Sequence, residues 1–116
     1  MSKDRPVVLV VDDSVDTRDL YVEILDHAGF MTLAAGSVAE ARGMLGQVRV
    51  AVIVADYSLP DGTGAELTKL CADVQPKVCI LVTGHAAANV DVTGFQVTLR
   101  KPIKGDDLLA AIRAHV

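Results

Sequence analysis

The chain has 116 residues, of which 51% are apolar but only 3% aromatic and none Trp, and its formal net charge is −4. One domain of that length buries roughly two thirds of its unfolded surface, here in a core of Val, Leu, Ile and Ala. Lys and Arg are scattered and supply no basic stripe for direct nucleic-acid binding; the apolar runs are strand-sized, well short of the ~20 residues a membrane-spanning helix needs.

The amino-terminal segment MSKDRPVVLVVDD holds no apolar core of signal-peptide length before its two acids, so a cytoplasmic location is expected. Val7–Val11 is an all-apolar run that stops at Asp12 and Asp13. Over residues 13–28, Leu20, Ile24 and Ala28 recur at helical spacing beside Tyr21 and Leu25, which predicts an amphipathic helix capped near Asp13 or Ser14 and ended by Gly29. A short strand follows at Met31–Ala35. Ser37, with Glu40 three residues on, reads as a capping box for a helix over 37–45, weakened by Gly43.

The run from Val50 to Ala55 is the kind of strand that both faces of a parallel sheet cover, and it ends in Asp56. Pro60, Asp61, Gly62 and Gly64 make the turn after it; no P-loop lysine follows the glycines, so turn geometry accounts for them. A helix is expected over 64–73 with Leu67 and Leu70 inward, then a strand at Val78–Thr83 after Pro76. Residues 84–94 should hold a short, frayed helix, because Asn89, Val90, Asp91, Val92 and Thr93 are poor helix formers. A fifth strand at 95–99 leads to Lys101-Pro102, and a last helix at 106–114 carries Asp106 and Asp107 in its first turn. Cys71 and Cys79 lack metal-ligand spacing and are expected as buried apolar residues. His27 and His115 suit helix carboxyl ends.

Strands alternating with helices predict βαβ units and a mostly parallel sheet. Right-handed crossovers then bring Asp12, Asp13, Asp56, Thr83 and Lys101 to one sheet edge, outside the carboxyl ends of the strands, where ligands bind in open α/β sheets. At ~4 Å and an effective dielectric near 20, each carboxylate pair there costs roughly 4 kcal/mol. A hard divalent cation with oxygen ligands relieves that repulsion, and Mg²⁺ is the natural choice because it takes few carboxylates and keeps waters for an incoming phosphate. A metal, the Lys101 ammonium and the Thr83 hydroxyl suit a transferring phosphoryl group, with Asp56 as the nucleophile that becomes an acyl phosphate.

VVLVVDDS at the start, D-Y-S-L-P-x-x-x-G around Asp56, LVTG ending in Thr83 and Gly84, and Lys101-Pro102 together resemble the receiver domain of two-component response regulators. The resemblance covers essentially the whole chain, residues 1–116, as a single receiver domain. It implies a flavodoxin-like, doubly wound, five-stranded parallel sheet of order 2-1-3-4-5, and a phosphoryl-accepting switch rather than an enzyme. A histidine kinase or phosphotransfer protein would be the donor to Asp56. By the same match Asp13 would bind Mg²⁺ directly, Asp12 mainly through water, and Asp56 and the backbone carbonyl of Ser58 would complete the protein's ligands. Thr83 and Lys101 would hold the phosphoryl oxygens and relay the change, while Ser58 and His85 would tune loss of phosphate. Monomeric or weakly dimeric behaviour is expected.

The chain departs from the family at Thr98, where receivers usually carry Tyr or Phe, and in a shortened span between Thr83 and Lys101. An aromatic ring swinging into space left by the threonine is therefore not available, and the usual output face looks rebuilt. Two alternatives follow. One is a receiver-fold interaction module working without phosphorylation. The other is a Mg²⁺-dependent phosphohydrolase with an aspartate nucleophile, against which stand the adjacent acids after the first strand, where the haloacid dehalogenase type needs D-x-D-x-T. With no output domain after Val116, the receiver is expected to work alone or to be a piece of a longer protein, and Met1 favours an amino-terminal position.

Overall fold

The structure, a computed structural model, describes residues 6–56, 76–84 and 95–116, together with Glu66, Lys69 and Ala72. Five strands, β1 (Val7–Val11), β2 (Met31–Ala35), β3 (Val52–Asp56), β4 (Val78–Thr83) and β5 (Val97–Arg100), form one sheet of order β2-β1-β3-β4-β5. All four pairings are parallel. This is the doubly wound, flavodoxin-like arrangement expected from the chain.

The reason lies in the two-residue period of the strands. Leu9, Val11, Ile53, Ala55 and Cys79 point to one face and pack with Val38 and Ala41 of α2 (Val38–Leu45). Val8, Val10, Val52, Val54, Val78, Ile80 and Val82 point to the other face. There they meet Tyr21 and Leu25 of α1 (Val15–His27) and Leu108 and Ile112 of the C-terminal helix (Gly105–Arg113). Both faces of β3 and β4 are buried along their whole length, which is why those segments read as unbroken apolar runs. Each such Val, Leu or Ile contributes roughly 1.5–3 kcal/mol by leaving water.

Local signals behave as their chemistry dictates, with instructive shifts. Ser14 caps α1, its hydroxyl accepting the Thr17 N–H at 3.4 Å, and Gly29 ends it at φ +95°, in the left-handed region. The inward stripe of α1 runs through Tyr21 and Leu25, whereas Leu20 is 53% exposed. Ser37 accepts the Glu40 N–H at 3.1 Å, but the Glu40 carboxylate accepts from Gly36 N–H at 2.8 Å, one residue before the usual partner in a capping box.

β5 starts at Val97 instead of residue 95; just ahead of it the Gln96 side chain accepts the Cys79 N–H at 2.7 Å and the Gln96 N–H donates to the Cys79 carbonyl at 3.1 Å. β3 starts at Val52 instead of residue 50, although Val50 is buried ahead of it. Cys79 is buried as expected. Glu66, Lys69 and Ala72 are helical and exposed, in keeping with a helix before β4. The expectations for Ser58, Leu67, Leu70, Cys71, His85 and the helix over 84–94 lie outside the described residues, apart from Gly84. No described helix is long and apolar enough to cross a membrane.

Candidate functional site

Register carries the acids to their meeting point. Val11 pairs with Ala55, so Asp12 and Asp56 each stand one step beyond neighbouring partners at the carboxyl edge. Thr83 closes β4 beside Arg100, and Lys101 comes next. Among the described residues, Asp12, Asp56 and Thr83 are the buried polar side chains, at 2%, 9% and 2% exposure. Asp13 faces solvent. One carboxylate oxygen from each of Asp12, Asp13 and Asp56 lies within 4.8 Å of the others. Lys101 Nζ stands 3.5 Å from Asp56 Oδ1, and the cis Lys101-Pro102 peptide follows. Asp12, Asp13, Asp56 and Lys101 thus stand together at this edge, and Thr83 ends the strand beside β3.

The electrostatics are those of an under-neutralised acid cluster. Burial raises the Asp12 carboxyl above its ordinary value; the Ser14 N–H, donating to Oδ1 at 2.9 Å, opposes this, while the Asp56 charge adds to it. The same field reaches α1: burial, then Asp12 and Asp56, push the Tyr21 phenol up to about 12. Three carboxylates face one ammonium, and that ammonium belongs to a side chain one third exposed.

The donors are all oxygens, which suits a hard cation. An octahedral ion with ligands at about 2.1 Å sets them about 3.0 to 4.2 Å apart, a spread that the cluster meets with small side-chain adjustments. The chemistry of the cluster therefore fits a divalent cation held by Asp12, Asp13 and Asp56. Next to it, Thr17, Leu20, Tyr21, Lys101, Pro102 and Ile103 line an open cleft of about 440 Å³, so Lys101 belongs to both places.

Comparison with known proteins decides the family. The response regulator receiver domain matches residues 8–113. The chain belongs to that family. This receiver is 32% identical, over its whole length, to the hydrogenase transcriptional regulatory protein HoxA of Cupriavidus necator, of which it covers 25%. It spans half or less of the length of the first curated relatives it matches. A receiver domain protein from Methanospirillum hungatei superposes with a TM-score of 0.88 at 27% identity, over 96% of this chain and 93% of that one. A response regulator from Burkholderia pseudomallei, solved with a phosphorylated aspartic acid, calcium ion and citrate, gives 0.84 at 25% identity, over 92% and 66%.

Sequence patterning named the edge residues of the receiver but not what supports them. Tyr21 reads as an ordinary member of an apolar helix stripe, and only tertiary packing reveals its approach to Asp12 and Asp56. Thr98 is exposed on β5, between the half-buried Val97 and Leu99.

Proposed function

We propose that this receiver is a phosphoryl-accepting switch in which Asp56 takes the phosphoryl group from a phosphohistidine of a histidine kinase or phosphotransfer protein. The observation that carries the proposal is the position of Asp56. Its carboxylate closes a central strand buried along its whole length, shares a cluster with Asp12 and Asp13, and lies 3.5 Å from the Lys101 ammonium. A nucleophile needs a fixed position, and the developing charge on the phosphoryl oxygens needs positive partners.

Asp56 attacks phosphorus, the bond to the donor nitrogen breaks, and an acyl phosphate forms on the side chain. Lys101 then exchanges its carboxylate partner for a phosphoryl oxygen, and the Thr83 hydroxyl donates to another. Asp12, Asp13, Asp56 and the Ser58 carbonyl would hold Mg²⁺. The ion, when bound, neutralises phosphoryl oxygens and screens the acids from one another. Ser58 and His85 would set how readily water reaches the acyl phosphate. The Burkholderia relative, with its phosphorylated aspartic acid and a divalent cation, supports this assignment.

The test compares parent and Asp56→Asn in Mg²⁺ with beryllofluoride, following amide resonances. Shifts around Thr83 and Lys101 in the parent, absent in the variant, are expected; equal responses would end the proposal. The exposed Thr98 favours a second possibility, a docking module whose partner binding ignores phosphorylation. Partner affinity unchanged by beryllofluoride would select it.

A further inference from the structure

Asp12 is gripped at three atoms. Its N–H donates to the Ala35 carbonyl at 3.0 Å, and its Oδ1 accepts the Ser14 N–H at 2.9 Å. Its carbonyl accepts a hydrogen bond from Arg18 Nη1 at 3.2 Å. The first two belong to the sheet edge and the helix start. The third comes from a half-buried side chain of α1 that folds back to the strand end.

That carbonyl belongs to the peptide group joining Asp12 to Asp13. A peptide unit is planar and turns as one body, so its orientation sets how the two carboxylates stand relative to each other. The buried acid and its exposed neighbour can share one ion only if that peptide is held.

The loop after β2 is shaped around the same guanidinium. A Cβ at Gly36 would stand 2.7 Å from Arg18 Nη1 and 3.2 Å from Glu40 Oε1. The φ of Gly36 lies outside the left-handed region, so the backbone does not require glycine there. Space for the arginine does. Glu40 in turn accepts the Gly36 N–H at 2.8 Å and fixes the loop at that distance.

We infer that Arg18 is a positioning residue for the cation site: its guanidinium, passing beside Gly36, holds the Asp12–Asp13 peptide and thereby fixes the relative placement of the two carboxylates. The inference rests on the proposed occupation of the acid cluster by a divalent cation, and it has a consequence in the metal-free protein as well. The Asp13 N–H is part of the held peptide, so it reports directly on the contact.

The experiment is a Mg²⁺ titration of the full chain, with amide spectra recorded before metal is added. Variants are Arg18→Ala, Arg18→Lys, Gly36→Ala and the double variant Arg18→Ala/Gly36→Ala. Losing one hydrogen bond of this kind predicts Mg²⁺ binding about three- to tenfold weaker in Arg18→Ala, with a metal-free melting temperature close to the parent's. Arg18→Lys, which retains a donor for the carbonyl, should recover part of the loss. In Gly36→Ala the new methyl displaces the end of a flexible side chain, so the affinity falls similarly. The double variant should be no weaker than either single one, since both act through one contact.

Parent affinity in Arg18→Ala, or losses that add in the double variant, would overturn the inference. If Arg18→Ala does not fold, Gly36→Ala decides by the same measure. A parent that takes up no Mg²⁺ overturns the proposed function. The Asp13 amide then judges Arg18 separately, because an unmoved resonance and unchanged exchange in metal-free Arg18→Ala exclude the contact itself.

Discussion

The Thr83 carbonyl accepts the Lys101 N–H at 2.8 Å. This bond ties the base of the lysine to the end of β4, so its ammonium approaches Asp56 from a fixed origin while the stem remains partly in water. In the resting protein that ammonium competes with any cation for the same carboxylate. Lys101→Ala is therefore expected to bind Mg²⁺ more tightly than the parent, by about two- to fivefold, since a partly exposed pair is worth roughly 0–1 kcal/mol. The same variant should lose most of its beryllofluoride response. A Mg²⁺ titration followed by the mimic separates the two effects.

Asp12 makes stability depend on pH in a stated direction. Its folded-state pKa lies above the ordinary 3.8, so the native state holds more protons than the unfolded one as pH rises past that value. Stability then falls through the window that ends above the raised pKa, and it stays lower at neutral pH. Asp12→Asn keeps an oxygen for the Ser14 N–H and removes the buried charge. In chelator at pH 7, urea unfolding should show this variant more stable than the parent by roughly 0.5–2 kcal/mol. The gain should shrink at pH 4.5, and Mg²⁺ should stabilise the parent more than the variant.

Tyr21 offers a spectroscopic reading of the same field. Burial comes first among the causes that raise its phenol to about 12, and the charges of Asp12 and Asp56 follow. Removing the Asp12 charge takes away one of them. In a Tyr57→Phe background, where Tyr21 is the remaining tyrosine of two, ultraviolet titration should find the phenol ionising at lower pH in Asp12→Asn than with Asp12 present. No change on removing Asp12 would mean that its charge does not reach the phenol.

The strand ends were legible because buried parallel strands tolerate no polar residue until they reach the edge. An acid closing VVLVV or VIVA can therefore only stand where the strands finish. Helix caps were legible from Ser14 and Ser37 for an equally local reason. What could not be read depends on which distant groups meet. Gln96 accepts the Cys79 N–H with its side chain, and Glu40 reaches past Ser37 to Gly36. Leu20 turns to the outside while Tyr21 takes the buried side. No periodicity separates adjacent helical positions that finely, because either assignment leaves an apolar stripe on the helix.

Thr98 and Thr83 lie on neighbouring strands but in opposite environments. Thr98 is exposed on the edge strand β5, whereas Thr83 is 2% exposed at the end of β4, next to the acid cluster. A side chain that transmits the state of Asp56 must sense the phosphoryl group and must move other packed groups when it shifts. Under the proposed function Thr83, buried at the strand end, is the candidate for both, and Thr98, with a small exposed side chain, is not. Thr98→Ala is therefore expected to cost no more than about 1 kcal/mol, the span of strand propensity, and to leave the beryllofluoride-induced amide shifts intact. Thr83→Ala should keep Mg²⁺ affinity within about threefold of the parent and lose the shifts at Lys101. If Thr98→Ala instead abolishes the response, the signal leaves the site along β5, and the output would follow that strand despite its small residue.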